Sequence, residues 1–203
     1  MTTPSIAICI PTIPPRQKML ARAMTSVLRQ EHPVDAICIA IDHDRAGASI
    51  TRNKAIRMAL TSGVDWIGFL DDDDVLLAHH THQLLGCAAE HEANLVWGWF
   101  EVAGGTDPFP DKRGRQWSAD ELSIVPIAYM VKADHLRAGM DATGGFQEDV
   151  AMSGSWQAQD MVLFEWLAAN GTPYASPSST WIWSHHASNT SGVPDRPDGT
   201  PRY

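Results

Sequence analysis

Residues 66–74, Trp-Ile-Gly-Phe-Leu-Asp-Asp-Asp-Asp, constrain this chain more than any other stretch. Strand-forming apolar residues run without a break into four consecutive carboxylates. An uninterrupted apolar run needs cover on both faces, which is the requirement of an internal strand in an α/β sheet. Four adjacent carboxylates repel one another, so some of their pKa values rise unless a cation neutralises them. Hard oxygen ligands suit Mg²⁺ or Mn²⁺, and the carboxyl end of a parallel strand is where open α/β sheets bind ligands. A solvated acidic turn after a core strand accounts for the same residues, and the run alone does not choose between the two.

The flanking sequence adds to the strand reading. Residues 6–10 (Ile-Ala-Ile-Cys-Ile) are a second buried-strand candidate, ended by Pro11, which removes a ladder donor. Leu20, Met24, Val27 and Leu28 keep helical spacing up to about Gln30, and residues 36–41 form another apolar run that ends at Asp42. Strand, helix, strand with apolar strands predicts βαβ units and a parallel sheet. Gly47 and Ser49 lie in a small polar loop before a helix expected over 51–61, with Arg52 and Asn53 in its first turn, where helix N–H groups and arginine favour phosphate. His79, His80 and His82 open a further helix and read as its solvated surface, because successive residues do not share a helix face.

Farther on, residues 95–102 and 124–131 are strand candidates, 104–117 a long loop, and 133–137 a short helix. Gly144-Gly145-Phe146 is a turn, and residues 147–155 an irregular acidic loop. A helix over 157–169 is apolar nearly all round, so it should be buried, with Asp160 in its first turn. Residues 180–184 make a last short strand before His185 and His186. The tail after Gly192 has several prolines and little apolar matter, and reads as an arm or disordered. Trp97, Trp99, Trp117 and Trp156 could stack on a sugar or simply pack in the core.

A length of 203 residues fits one domain, residues 1–192, with the 193–203 arm. The formal net charge of −9 argues against unaided binding to nucleic acid or anionic membrane. Cys9, Cys38 and Cys87 have no zinc or redox spacing and read as reduced core residues. Neither a transmembrane run nor a signal-peptide pattern stands out, so a cytoplasmic protein is expected.

In this order, the pieces resemble family 2 glycosyltransferases of the GT-A fold. Ile10-Pro11-Thr12 with residues 26–30 (Ser-Val-Leu-Arg-Gln) looks like the family's opening strand and helix, and Asp42 like the acid ending its second strand. Gly47 through Arg52-Asn53 is similar to its glycine-to-Arg-Asn segment, across a shorter connection than the family usually has. Residues 70–74 (Leu-Asp-Asp-Asp-Asp) fit its Asp-x-Asp-Asp signature. Gly144-Gly145-Phe146, Gln159-Asp160 (where Glu-Asp is common) and His186-Ala-Ser-Asn189-Thr-Ser191 match later segments.

The resemblance implies an α/β fold, a single Rossmann-like GT-A domain with a mostly parallel central sheet flanked by helices. It implies a metal-dependent inverting transfer of a sugar from a nucleotide diphosphate sugar, most often a UDP-sugar, to an acceptor hydroxyl. Pro11, Thr12, Asp42 and Arg52, with Asn53 and Asp72, would line the donor site, and Asp71 would approach the ribose or donor sugar. Asp73 would bind Mn²⁺ or Mg²⁺, with His186 rather than His185 as a second ligand, and Asp160 would be the general base. The acceptor could be a glycan, a protein, a lipid carrier or a modified nucleobase. A non-catalytic nucleotide-sugar or carbohydrate-binding module and a two-metal nucleotidyltransferase are the alternatives.

Overall fold

Ile6, Ile8 and Ile10 face one side of β1 (Ile6–Thr12), while Ala7 and Cys9 face the other, and all five are buried. A strand with two apolar faces needs two layers of cover, and the chain supplies them with helices. The computed structural model describes residues 3–112, 127–147, 161–187 and 189. Around β1 stand β2 (Ala36–Ile41), β3 (Trp66–Phe69), β4 (Val75–Leu76), β5 (Leu95–Ala103), β6 (Tyr129–Lys132) and β7 (Pro173–Ser184), in the sheet order β2-β1-β3-β6-β5-β7-β4. The pairs β1–β2, β1–β3 and β5–β7 are parallel and make the long ladders, while β6 and the two-residue β4 run antiparallel to their neighbours.

Helices α1 (Gln17–Leu28) and α3 (His80–Glu90) cover the Ile face with Ala23, Val27, Leu84 and Ala88. The opposite face is covered by α2 (Ala48–Thr61), α4 (Ala133–Thr143) and α5 (Met161–Ala169), through Ile56, Leu136, Leu163, Phe164 and Leu167. The result is a three-layer α/β sandwich, as the apolar strands require. Strands β2 and β3 flank β1 on opposite sides, reached through α1 on one face and α2 on the other. That reversal opens a crevice beyond the carboxyl ends of β1 and β3, the place where doubly wound sheets bind ligands.

Several local expectations change. Pro11 does not end β1, which continues to Thr12 with Pro11 opposite Ala40. Cys9 O accepts from Leu70 N (3.1 Å), so by two-residue alternation Pro11 also faces β3, beyond the last β1–β3 pair at Cys9 and Phe69, where no ladder donor is needed. Helix α2 starts at Ala48, so Arg52 and Asn53 sit in its second turn and not among its free N–H groups. Helix α4 continues to Thr143 and ends on Gly144 in the left-handed region. Strand β7 begins at Pro173 rather than at residue 180, because it pairs along β5 across a bulge at Gly98 and Trp99 that absorbs its Pro/Ser-rich first half.

His80 is fully buried, against the expected surface position, and its Nδ1 lies 3.0 Å from Thr180 Oγ1. Burial holds its pKa down to about 3. His79 is half-buried, and His82 is exposed as expected. The three cysteines are buried and free. Trp97 packs edge-on against Phe164 in the core, and Trp99 is half-buried. Trp117, Trp156, the acidic loop from 148 onward and the 193–203 arm lie outside the described residues.

Candidate active site

The four aspartates follow β3 directly, and Asp74 N donates to Asp71 O (3.2 Å) to close them into a tight turn. The solvated-turn reading fails: Asp72, Asp73 and Asp74 are only 2%, 7% and 1% exposed. Their partners come from several elements, and Asp72 and Asp73 share one of them. Asp71 is half-buried, and Arg52 from α2 donates to both its oxygens at 2.8 and 2.9 Å. Asp72 accepts from Thr12 Oγ1 (2.6 Å) and from Arg16 Nη1 (2.9 Å). Asp73 Oδ2 lies 2.9 Å from the same Arg16 nitrogen and 3.1 Å from His186 Nε2. Asp74 accepts from the backbone N–H of Ser184 at the end of β7 (2.8 Å). Arg22 of α1 donates to the Asp73 backbone carbonyl and to Ser184 Oγ.

Asp42 and Asn53 are engaged in shaping loops. The Asp42 carboxylate accepts from Ala46 N (2.8 Å) and Gly47 N (2.9 Å), bonds that hold its pKa below the usual carboxylate range. Gly47, at φ +104°, gives the chain the turn from that loop into α2. Asn53 clamps the Phe146 backbone from both sides, donating to its carbonyl (2.8 Å) and accepting from its N–H (2.9 Å). Gly145 has φ +91°, and a Cβ there would run into Asn53 Oδ1, so the Gly-Gly-Phe turn and α2 are fitted to each other. Phe146 in turn lies under the Arg52 guanidinium, 5.6 Å from ring centre to Cζ. A narrow cleft follows, whose lining includes Pro11, Arg52, Asp71, Tyr129 and Phe146.

The donor set suits a divalent cation. Asp71, Asp73 and Asp74 each bring a carboxylate oxygen to within 4.8 Å of the others. Burial first, and the Asp71 charge second, push the Asp73 carboxyl up and the Asp74 carboxyl well up from the ordinary value. Buried like charges that strain against ionisation are what a bound cation relieves. His186 could add a nitrogen ligand beside Asp73, whereas His185 is buried and its ring packs edge-on to Trp183 at 4.5 Å.

The structure thus brings Pro11, Thr12, Arg52, Asp71, Asp72, Asp73 and His186 to one crevice. Asp42 and Asn53 border it through the loops they fix. Asp160, and with it Glu148, Asp149 and Ser191, lies outside the described residues. Sequence reading missed Arg16 and Arg22. The available signal for Arg16 was its place on a Pro14–Arg16 3-10 turn immediately after β1, which aims a cation at the neighbouring strand's end. Among the described residues, no helix is long and apolar enough to cross a membrane.

A family model described as glycosyl transferase family 2 matches residues 38–141, about half of the chain. No curated protein matches the sequence. Among solved structures, S. aureus TarS 1–349 in complex with UDP is similar at a TM-score of 0.68 and 12% identity, over 89% of this chain and 60% of that one. The same TarS fragment in complex with UDP-GlcNAc gives a TM-score of 0.71 at 11% identity, over 91% and 60%. A longer S. aureus TarS structure gives 0.70 at 12%, over 89% and 36%. The chain therefore spans 60% or less of the length of these structures, and at such identity the likeness establishes the fold. Together with the matched segment, which runs from β2 through the acid run and into α4, this establishes that the chain belongs to glycosyl transferase family 2.

Proposed function

We propose that this chain is a metal-dependent, inverting glycosyltransferase that moves a sugar from a UDP-sugar to an acceptor hydroxyl. The observation that carries the reading is the meeting of Asp73 with Asp71, Asp74 and His186 at the crevice between β1 and β3, in a chain of this family. The uridine preference is supported by the UDP and UDP-GlcNAc complexes of the similar TarS fold. Buried, free cysteines are consistent with a cytoplasmic protein, and residues 1–192 are read as the catalytic domain.

Asp73 and His186 hold Mn²⁺ or Mg²⁺, and Asp71 faces the ribose or donor sugar. Pro11, Thr12, Arg52 and Asp72 line the donor side, while Asp42 and Asn53 act through the loops they hold. When bound, the ion offsets the negative charge that develops on the leaving diphosphate. A sugar hydroxyl is a weak nucleophile near neutral pH, so a carboxylate must take its proton during attack. Asp160 has that role: the acceptor oxygen bonds to the anomeric carbon, the carbon–oxygen bond to the diphosphate breaks, and the proton passes to the carboxylate. Attack opposite the leaving group inverts the anomeric centre.

Three measurements test this. Wild-type protein should be thermally stabilised by UDP with Mn²⁺ far more than by UDP in EDTA, and equal shifts would remove the metal from the reading. Asp160→Asn should lower transfer by about 10²–10⁴-fold while Mn²⁺ and UDP still bind. Near-normal transfer by that variant places the base elsewhere. Release of UDP rather than pyrophosphate excludes a nucleotidyltransferase, and any turnover excludes a binding module.

A further inference from the structure

We propose that Arg16 is a resident counter-ion of the acid run, which competes with the metal for Asp73 and transfers to the donor diphosphate when ion and donor enter together. The proposal rests on the metal-dependent reading above. Arg16 ends the 3-10 turn that follows β1, where Pro14 and Pro15 fix the backbone. A single nitrogen, Nη1, lies 2.9 Å from Asp72 Oδ1 and 2.9 Å from Asp73 Oδ2. That Asp73 oxygen is also the one 3.1 Å from His186 Nε2, so it is where the two expected metal ligands converge. A divalent ion arriving there meets a permanent positive charge already in hydrogen-bond contact with its principal ligand. Arginine cannot shed its proton to make way, so it must move.

The surroundings allow that movement. The Arg16 side chain is 25% exposed, against 3% for Asp72 and 10% for Asp73, so it lies on the solvent side of the cluster. Asp72 is held independently by Thr12 Oγ1 at 2.6 Å, and remains a second anchor for the guanidinium. Arg52 is engaged with Asp71, and Arg22 holds the Asp73 backbone carbonyl and Ser184 Oγ, so neither contact need break. An ion alone displaces Arg16 from Asp73 and leaves it on Asp72. An ion that arrives with a nucleoside diphosphate brings phosphate oxygens, whose geometry the guanidinium fork matches. Metal and nucleotide binding should therefore be coupled through Arg16, and by linkage each must strengthen the other by the same factor.

The test is Mn²⁺ binding to the full chain, read as free Mn²⁺ by electron paramagnetic resonance, with and without UDP. The proteins are wild type, Arg16→Gln and Arg16→Lys. Arg16→Gln should bind Mn²⁺ alone about tenfold more tightly than wild type, with a correspondingly smaller enhancement by UDP. Arg16→Lys, which keeps the charge but not the fork, should fall between them. A residue that only supports the turn, or only contacts the donor, would leave the affinity for Mn²⁺ alone unchanged or weaker. That result in Arg16→Gln, with circular dichroism showing it folded, overturns the proposal. Should Arg16→Gln not fold, Arg16→Lys decides, and an affinity for Mn²⁺ alone at or below wild type overturns it equally. Wild-type protein that binds no Mn²⁺ even with UDP would sink the metal-dependent reading and this inference with it. The preceding outcomes leave that reading standing.

Discussion

The first two aspartates of the run and the last two have the same side chain and adjacent positions, yet they belong to different parts of the molecule. Asp71 and Asp72 are tied to the N-terminal βαβ half, through Arg52, Thr12 and Arg16. Asp73 shares Arg16 with Asp72 but, with Asp74, reaches beyond that half to His186 and Ser184, 113 and 110 residues farther along the chain. Asp71 keeps partial access to water and an arginine nitrogen shared by both its oxygens, whereas Asp74 is buried beside other carboxylates with a backbone N–H for a partner. The turn is therefore a seam. Its first half can be assembled from neighbouring elements, and its second half is completed only when β7 docks on β5 and β4. Contact with different elements gives identical residues different tasks.

The largest test of that difference is Asp73→Asn against Asp71→Asn. Asp73→Asn should abolish Mn²⁺-dependent UDP binding and lower transfer by about 10²–10³-fold, the scale of losing a principal electrostatic group. Asp71→Asn should retain measurable Mn²⁺ binding, and calorimetric titration with Mn²⁺ reads both. Equal loss in the two variants would erase the distinction between the ends of the run.

On the Asp73 side, His186→Ala should weaken Mn²⁺ binding by at least the roughly tenfold that even an outer-shell partner can cost. His185→Ala should do so much less, because that ring packs against Trp183. A competition assay with a fluorescent chelator separates them, and the reverse ranking would reassign the ligand. On the Asp72 side, Thr12→Val removes a buried hydrogen bond to a carboxylate. It should lower unfolding free energy by about 1–3 kcal/mol in urea, with Mn²⁺ affinity nearly intact.

The last effect concerns the docking of β7 that completes the second half. His80 is held neutral in the fold, with a pKa of about 3, below its value in an unfolded chain. Its contribution is therefore fully present above about pH 6.5 and is lost as pH falls toward 3, at up to about 1.4 kcal/mol per pH unit. Urea midpoints at pH 7 and pH 5 should show the decline, and His80→Gln should flatten it. An unchanged slope in that variant would assign the acid sensitivity to other groups.

Much of the fold could be read in advance because its signals are local. Residues 36–41 and 66–69 are apolar on both faces, and each coincides with a strand. Where reading failed, a partner distant in sequence decided the outcome. Strand β7 contains Pro173, Ser176, Pro177, Ser178 and Ser179, a poor strand composition, but pairing with β5 across a bulge makes it the longest strand described. His80 resembles a polar helix start, and only Thr180, a hundred residues away, gives it a buried hydrogen-bond partner. Asn53 was readable as a motif residue, yet its clamp on Phe146 depends on the tertiary fit of the Gly-Gly turn to α2.

The sequence by itself determined the layered α/β class, the position of the acid run at a strand end and the identity of its candidate ligands. Apolar periodicity and the order of motifs act over a few residues and survive without the rest of the chain. Tertiary structure alone decided which aspartate meets which partner, that three of the four are buried, and that Arg16 bridges Asp72 and Asp73. Charge and burial are properties of the assembled environment: a carboxylate's neighbours within a few ångströms set its state, and here those neighbours come from β1, α1, α2 and β7 at once.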